Sequence, residues 1–391
     1  MAIGSSQNIG KGESEGRENV SVPSIVLFGI DIVRFFIDLG TTYLLFLAVS
    51  LTLNLEAGFS GIPNFGKVMF VAGGAAVAGS VSGRLAALIL SVDTSGYNFN
   101  IARIIGQVNA ALSNNPILSM ELLLLGVALA AGIGGALGYL ASLPAIRLRE
   151  DYLGMLLLAA AQLFSIILGG VPQLVGGTIG LEVPDVFAWA ETGIEVRDVV
   201  VLGFLVVFAA LVYVYCERIA RSPLGRTLRA IRDNEVASRS LGKDDVAFRR
   251  NVIIIGSAIS GMAGALLTFY VGSINSDWPR ITWTFWIWVM VILGGAGNNL
   301  GVALGAFAFT FLLKVTNEVK FYFQSYVPFD VNWLEYLVFA SLLILILIFR
   351  AGGILPEKST TTLPWQTVNE MMRPQAQSED KSVDNKGPDP G

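Results

Sequence analysis

Nine long apolar runs limit the possible folds of this chain more than any other feature of its sequence. Most are close to the roughly 20 residues that a helix needs to cross the hydrocarbon core of a bilayer. In lipid, only helices and closed barrels satisfy their own backbone polar groups. The mean hydropathy of +0.64 and the 43 glycines among 391 residues are also typical of membrane helices. The sequence therefore predicts an all-α integral membrane protein, whose apolar runs are residues 41–55, 68–90, 119–143, 152–171, 199–215, 252–271, 281–293, 302–313 and 334–349.

A further apolar stretch, residues 23–39, differs from these runs because it contains Asp31, Arg34 and Asp38. Charges at the centre of a bilayer cost roughly 2.5–3.5 kcal/mol each on insertion scales. The stretch is therefore interpreted either as a helix on the membrane surface or as a first span. We expect about nine or ten transmembrane helices in all.

The two ends of the chain are polar. Residues 1–22 lack the apolar core and cleavage site of a secretory signal peptide. Residues 357–391 are rich in Ser, Thr, Pro, Asp and Lys, a composition that is typical of disorder. We expect a transmembrane domain at residues 23–356 between two disordered tails.

Several kinds of chemistry are excluded by what the sequence lacks. It contains no His, the residue that most often acts as metal ligand, proton relay or catalytic base. One cysteine, Cys216, cannot form an internal disulfide or a cysteine-only metal cluster. The net charge of −4 is too weak to indicate a nucleic-acid partner. We therefore expect no metal, no cofactor and no nucleic acid.

A short, strongly charged segment, residues 217–250, separates two of the apolar runs. It contains nine Arg and Lys residues against five Asp and Glu residues. An excess of basic residues in a short loop marks the cytoplasmic side of a membrane protein. Counting spans from this segment places the turn at 147–151 inside as well. The acidic stretch at 177–197 and the loop at 272–280 are then predicted to lie outside.

Local signals in the charged segment predict two short helices. Ser222 followed by Pro223 is typical of a helix start, because Ser caps free N–H groups and Pro suits the first helical position. A second helix would start at Asn234 and end at Gly242, since Gly readily adopts the left-handed conformation that stops a helix. A loop whose charges only fix the topology is the alternative interpretation. Two capped helices go beyond what topology requires, which favours a surface that docks onto a partner in water.

Two glycine-rich segments interrupt the apolar regions, at residues 58–66 and 294–299. Non-helical backbone is tolerated at membrane depth only where it lines a cavity or is buried in protein, and paired breaks of this kind indicate a translocation site. The alternative is that the glycines allow close helix packing, as we expect for residues 134–138 and 301–305. The predicted pathway residues are Asn64, Phe65, Gly66, Lys67, Gly294, Gly295, Gly297, Asn298 and Asn299.

Residues 61–68 read GIPNFGKV, which fits the G-x-x-x-x-G-K part of a nucleotide-binding loop. Val68 stands where that loop needs a hydroxyl for magnesium, and Pro63 removes a backbone N–H that would bind phosphate. We therefore expect ATP to be hydrolysed by a different subunit. Lys67 is interpreted either as a solute or gating charge or as an interfacial lysine whose ammonium reaches the membrane surface.

The charged segment also resembles a known element. Glu235-x-Ala237 followed by Gly242 is similar to the EAA…G coupling motif of ABC-importer permeases. More specifically, the run GRTLRAIRDNEVASRSLG resembles the loop of the branched-chain amino-acid permease family, in the M-type member of its permease pair. The resemblance covers most of residues 41–358. The other segments that carry it, in chain order, are NLEAGFSGIPNFGKVMF, LPAIRLREDYL, GGTIGL, ISGMAGALLTFYVGSINSD, VMVILGGAGNNLGVALGA and FRAGGILPEK.

This resemblance implies the permease subunit of an ATP-driven ABC importer in the cytoplasmic membrane. The partners that it implies are a second homologous permease, two cytosolic ATP-binding subunits and an extracytoplasmic solute-binding protein. The implied solutes are leucine, isoleucine and valine, with other amino acids or short amides such as urea as alternatives. Arg229 and Arg232 are expected on the polar face of the first short helix, towards the ATP-binding subunits. The residues expected to couple the permease to those subunits are Arg229, Arg232, Glu235, Ala237, Leu241 and Gly242.

Two other classes of function stay open. An ion-coupled secondary transporter also uses broken helices, although ion coupling generally shows as carboxylates or histidines within spans, and the long spans here are nearly free of them. An intramembrane enzyme would need a nucleophile or a metal, and neither H-E-x-x-H nor G-x-S-x-G occurs in the chain. The ABC-importer permease is the interpretation that we carry forward.

Overall fold

The described part of the chain is built from long helices joined by short loops. The computed structural model describes residues 26–27, 30–94, 97, 100–145, 148, 150–177, 179–190, 194–275, 280, 282–323, 332–350 and 352–357. The two expected tails lie outside these residues, apart from Glu357. The α-helices are α1 (Ile32–Leu53), α2 (Lys67–Ile89), α3 (Ile101–Asn114), α4 (Pro116–Ala145), α5 (Glu150–Gly170), α6 (Pro172–Val175), α7 (Ile194–Arg221), α8 (Pro223–Asp233), α9 (Glu235–Ser240), α10 (Asp245–Val271), α11 (Thr282–Gly294), α12 (Asn299–Phe323) and α13 (Asn332–Phe349).

Short non-α elements complete the fold. A π-helical turn, Asn54–Phe59, continues α1, and a 3-10 turn lies at Ala188–Ala190. In the part of the chain that the structure describes, four two-residue strands form two antiparallel pairs. They are β1 (Val26–Leu27) with β2 (Ile30–Asp31), and β3 (Leu181–Glu182) with β4 (Ser273–Ile274).

In the described residues, each of the nine predicted apolar runs coincides with a helix apart from single residues at its ends, which confirms the all-α membrane fold. Within the described residues, seven helices are long and apolar enough to cross a membrane, whereas α11 and the apolar part of α13 are shorter. A total of nine or ten crossings therefore stays a prediction. The seven candidate spans are Ile32–Phe59, Lys67–Ile89, Pro116–Pro144, Asp151–Gly170, Val196–Arg221, Asp245–Val271 and Asn299–Lys320.

The apolar stretch at residues 23–39 is not a separate span. From Ile32 onward it is the first part of α1, which continues without interruption through the run predicted at 41–55. The charge of Asp38 is tolerated there because its carboxylate forms an ion pair with Lys314 on α12, with 2.5 Å between Nζ and Oδ2.

The helix α3 and the four-residue helix α6 were not predicted from the sequence. The helix α3 is amphipathic and buries Ile104, Ile105, Val108 and Leu112. Their spacing of three to four residues is the signal of a one-sided helix. The segment is too polar to appear among runs chosen by their apolar length.

The centre of the fold is formed by α2, α4 and α10, which approach each other through glycines. A Cβ atom added at Gly74 would lie 1.9 Å from the carbonyl oxygen of Gly261, and one at Gly134 would lie 2.5 Å from that of Ser257. Small residues allow backbones to approach this closely without any side chain between them. The packing role predicted for Gly134 and Gly138 is confirmed, because a Cβ at Gly138 would also meet Ser257, at 2.6 Å.

Two ends of the helical unit are distinguished by charge. The basic end carries α8 and α9, and the acidic end carries β3 and β4. The helix α10 joins the two, and its 27 residues span about 40 Å at 1.5 Å per residue. Because β3 pairs with β4, residues 181–182 and 273–274 of the two predicted outer loops lie at the same end, as the charge-based topology requires.

Candidate functional site

The two short helices predicted in the charged segment are present. Ser222 Oγ accepts a hydrogen bond from the backbone N–H of Gly225 at the start of α8, at 3.4 Å. Asn234 Oδ1 accepts one from the N–H of Ala237 at the start of α9, at 3.0 Å. Gly242 has a φ of +76°, the left-handed conformation that a side chain disfavours. Local capping chemistry therefore sets these boundaries, as predicted.

The helix α9 presents apolar side chains away from the rest of the protein. Val236 is 73% exposed and Leu241 is 80% exposed, and Ala237 and Gly242 are exposed beside them. The other side of α9 is fixed to the start of α10, because Arg239 forms ion pairs with both Glu235 and Asp245. Exposed apolar side chains on a charged loop are a feature of a docking surface.

Arg229 and Arg232 do not face outward as expected. Arg232 donates a hydrogen bond to the carbonyl oxygen of Gly58, in the turn that ends the first span. The Arg229 guanidinium lies 5.0 Å from the ring centroid of Phe59 and donates to the carbonyl of Ala220 at 3.2 Å. The physical reason is that the last carbonyls of a helix lack donors within the helix, and a guanidinium supplies one. These arginines therefore join α8 to the first break.

The first break contains a fully buried ion pair. Lys67 Nζ lies 2.7 Å from Glu56 Oε1, and both side chains have no exposed surface. Lys67 also donates to Thr52 Oγ1 at 3.1 Å, and Asn64 Nδ2 donates to Glu56 Oε2 at 2.8 Å. The interpretation of Lys67 as an interfacial lysine is therefore wrong, because its ammonium points into the protein.

The second break, residues 295–298, is closed by the segment that follows α13. The N–H groups of Ile354 and Leu355 donate to the carbonyls of Leu293 and Gly294, at 2.9 and 3.0 Å. A Cβ at Gly295 would lie 2.4 Å from the carbonyl oxygen of Leu355. In this conformation Gly294 and Gly295 allow close packing of the backbone, which is the alternative to a role in the pathway.

Asn298 has a local role at the same break. Its Oδ1 accepts from the N–H groups of Leu300 and Gly301, at 3.2 and 3.3 Å, and so caps the start of α12. Its Nδ2 donates to the carbonyl of Pro356 at 3.4 Å. Unlike Asn64 and Asn299, which are buried, Asn298 is partly exposed.

The two breaks meet through Asn54. Its Oδ1 accepts from the N–H of Gly297 at 2.8 Å, and its Nδ2 donates to Asn299 Oδ1 at 2.9 Å. Asn299 in turn donates to Glu217 Oε2 at 2.9 Å, where α7 leads into the charged segment. Asn54, at the start of the π-helical turn, thus links the second break to α7 at the basic end, beside the separate group of bonds around Glu56 and Lys67.

Most polar groups at the two breaks are buried, and the predicted pathway residues do not line an open channel in this conformation. Asn64, Gly66 and Lys67 are buried and Phe65 is partly exposed. Asn54 and Glu217 were missing from the predicted site. Asn54 could have been found as an amide inside an apolar run, whereas the position of Glu217 beside Asn299 depends on helix packing.

A cavity of about 270 Å³ lies between the breaks and the acidic end. Trp283 and Trp286 stack in its wall with their ring centroids 6.2 Å apart, and Phe46 meets both rings edge-on. The Asp38–Lys314 ion pair lies on its wall towards the acidic end. The remaining lining residues are Thr42, Leu45, Val49, Val68, Val71, Ala263, Leu267, Tyr270, Val271, Ile287 and Leu313.

This cavity was not predicted from the sequence. Its lining comes from α1, α2, α10, α11 and α12, so its members are up to 276 residues apart along the chain. Asp38 was noticed only as a charge in an apolar stretch. Val68, in the wall towards the first break, directly follows the buried Lys67.

Seven candidate spans within the described residues, paired helix breaks and a charged segment with two capped helices are the features of a multi-pass membrane permease. The family described as "Branched-chain amino acid transport system / permease component" matches residues 35–347. This chain belongs to that family and is a protein of the cell membrane.

The chain is similar to several curated proteins. The probable branched-chain amino acid transport permease protein LivM of Methanocaldococcus jannaschii is 37% identical over 324 residues, which cover 82% of this chain and 93% of that protein. The high-affinity branched-chain amino acid transport system permease protein LivM of Salmonella typhimurium is 28% identical over 58% of this chain and 56% of its own length. The protein of the same name in Escherichia coli is 28% identical over 57% of this chain and 55% of its own length. No solved structure matches the chain.

Removing one member of the buried pair is expected to destabilise the protein strongly. Lys67→Met leaves the Glu56 carboxylate without its cation, which costs about 3–5 kcal/mol. The double variant Glu56→Gln/Lys67→Met should recover most of this loss, because no uncompensated charge remains. Thermal unfolding of the detergent-purified protein measures both effects, with Lys243→Met, at an exposed lysine, as the control. Equal losses in the single and double variants would contradict the ion-pair argument.

Proposed function

We propose that this chain is the membrane-spanning permease subunit of an ATP-driven ABC importer that carries leucine, isoleucine and valine into the cell. Family membership supports a role in branched-chain amino-acid transport. The observation that carries the ATP-driven part is α9, a capped helix with exposed apolar side chains that is joined through α8 to the first break. Such a helix gives a cytosolic ATP-binding subunit a surface on which to dock and through which to move the permease.

The proposed partners follow from this arrangement. Two cytosolic ATP-binding subunits dock on α9 of this chain and on the matching helix of a second homologous permease. An extracytoplasmic solute-binding protein delivers the solute at the acidic end. The side assignment is supported by the basic excess of residues 217–250. Glu235, Ala237, Leu241 and Gly242 form the coupling surface in this proposal, whereas Arg229 and Arg232 transmit the movement.

The coupling route runs through contacts that are made directly. Movement of α8 pulls on the first break through Arg232 and Gly58. Movement at the end of α7 acts on the second break through Glu217 and Asn299. Because Asn54 bonds to both Asn299 and Gly297, the two breaks are expected to shift together. ATP-driven closure of the ATP-binding subunits would thereby open the buried polar groups at the breaks to one side of the membrane.

The proposal also gives the predicted pathway residues a place. Asn64, Gly66 and Lys67 belong to the bonds around Glu56, and Asn299 is bonded to Glu217 at the basic end. They are buried here because the breaks are closed. In the proposed cycle they become accessible to water when the breaks separate, and Asn298, Gly294, Gly295 and Gly297 move with the start of α12.

The function is tested by reconstituting the full complex in liposomes. With the solute-binding protein outside, uptake of labelled leucine should require ATP inside and should compete with isoleucine and valine. Collapse of proton and sodium gradients should leave it unchanged. Uptake driven by an ion gradient without ATP would make the protein a secondary transporter, and ATP-driven uptake of urea instead of leucine would change the solute class.

Charges introduced on α9 are expected to prevent docking. Val236→Asp and Leu241→Asp would place carboxylates in an apolar contact, where burial of an unpaired charge is costly. Both variants should lose co-purification of the ATP-binding subunits while keeping the thermal unfolding midpoint of the wild type. Ile179→Asp is the matched control, because Ile179 is 95% exposed at the acidic end. Retained co-purification in both α9 variants would overturn the docking surface.

Loss of the contact between α8 and the first break is expected to uncouple the complex. Arg232→Ala removes a hydrogen bond from a charged donor, worth about 1.5–3 kcal/mol, so leucine uptake per ATP hydrolysed should fall about tenfold or more. The ATP-binding subunits should still co-purify, because the exposed face of α9 is unchanged. Arg226→Ala, at an exposed arginine of the same helix, should behave like the wild type. An unchanged ratio of leucine uptake to ATP hydrolysis in Arg232→Ala would contradict this route.

A further inference from the structure

We propose that the cavity between α1, α2, α10, α11 and α12 is a binding site for the solute on its way to the breaks, and that its ligand is a zwitterionic α-amino acid with an aliphatic side chain. The proposal rests on the proposed function and adds the site and the groups that recognise the solute. Three features carry it: the size of the cavity, its apolar aromatic wall and the ion pair at one side.

The volume of the cavity and the apolar character of its wall fit one small apolar side chain. A volume of about 270 Å³ lies just below the range of roughly 300–1,000 Å³ that is typical of small-molecule sites. The wall towards the breaks is formed by Phe46, Val49, Val68, Val71 and Ile287. A polar side chain placed there would lose its hydrogen bonds to water without replacement. This wall therefore selects an aliphatic group.

The ion pair supplies the two charges that an α-amino acid needs. Lys314 Nζ lies 2.5 Å from Asp38 Oδ2, and Tyr270 donates to Asp38 Oδ1 at 3.4 Å. Asp38 can accept hydrogen bonds from an α-ammonium group, and Lys314 can donate to an α-carboxylate. A ligand with only one charge would leave one member of the pair without a partner.

The pair is within reach of a ligand. The Asp38 side chain is 44% exposed and that of Lys314 is 19% exposed, so the protein encloses neither charge completely. The fully buried Glu56–Lys67 pair contrasts with it, because neither of its members can be released into water.

The position of the cavity places it before the breaks in the transport direction. Tyr270 and Val271 belong to its wall near the acidic end, where α10 leads into β4. Val68 belongs to the opposite wall and follows Lys67 of the first break. A solute seated with its charges at Asp38 and Lys314 would thus have its side chain directed at the first break.

The first test is protection of a cysteine in the cavity. Thr42→Cys in a Cys216→Ser background would react with N-ethylmaleimide in the complex without its solute-binding protein. Saturating leucine should slow this reaction about tenfold or more, because a bound ligand excludes the reagent. Ser113→Cys, exposed on α3, should react at the same rate with and without leucine. Thermal unfolding confirms that both variants fold.

The charges are tested with a set of ligands. Leucine should protect at a concentration about tenfold or more below 4-methylpentanoate, which lacks the ammonium, and 3-methylbutylamine, which lacks the carboxylate. Asp38→Asn should weaken leucine while sparing 4-methylpentanoate, and Lys314→Met should weaken leucine while sparing 3-methylbutylamine. A pair that serves only to join α1 to α12 would change the unfolding midpoint without this ligand-dependent pattern.

Equilibrium dialysis of labelled leucine against the wild-type complex without its solute-binding protein provides a readout that needs no variant. One saturable site is expected. Absence of both binding and protection in a complex that carries out ATP-driven leucine uptake would overturn the site and leave the proposed function standing. Protection without ATP-driven uptake would support the site and reject the function. Equal protection by a fatty acid and by leucine would identify the cavity as a lipid-tail site and overturn the proposal.

Discussion

A helix that is interrupted inside a membrane protein leaves backbone groups that lipid cannot satisfy, and each interruption here is satisfied by a group from another element. Arg232 supplies a donor to the Gly58 carbonyl, and Asn54 accepts from the Gly297 N–H. The segment after α13 supplies donors to the last carbonyls of α11. The breaks are therefore places where distant parts of the chain are obliged to meet. A change in any of these elements must be accommodated at a break.

The buried Glu56–Lys67 pair adds a second constraint to the first break. A buried ion pair contributes little net stability, but removal of one partner is costly, so the loop between these residues must bring both charges together. The neighbouring helix is adapted to the pair, because a Cβ at Gly256 would lie 2.1 Å from Glu56 Oε1. The same region of α10 contributes Ser260, whose hydroxyl lies 3.3 Å from that of Thr52. The pair thus specifies how α1, α2 and α10 fit together more than it strengthens them.

How much could be predicted from the sequence depends on the range of the interactions. The boundaries of α8 and α9 were predicted because Ser222, Asn234 and Gly242 act on backbone groups within a few residues. The positions of the breaks along the chain were predicted, because Gly and Pro interrupt apolar runs locally. The partner of Lys67 and the inward direction of Arg229 were not predicted, since both depend on how helices pack. The cavity is the extreme case, because no segment of the chain contains enough of its lining to reveal it.

The cavity, the breaks and α9 follow one another along the helical unit, and thermodynamic linkage then constrains the whole cycle. If docking of the ATP-binding subunits on α9 favours one arrangement of the breaks, and if the solute binds the cavity more tightly in that same arrangement, each event must strengthen the other by the same factor. A solute that binds both arrangements equally would shift nothing, however tightly it binds. The contacts from Arg232 to Gly58 and from Glu217 to Asn299 are the physical connections on which such coupling depends. Selectivity for the solute and control of ATP use would therefore be two consequences of the same pair of breaks.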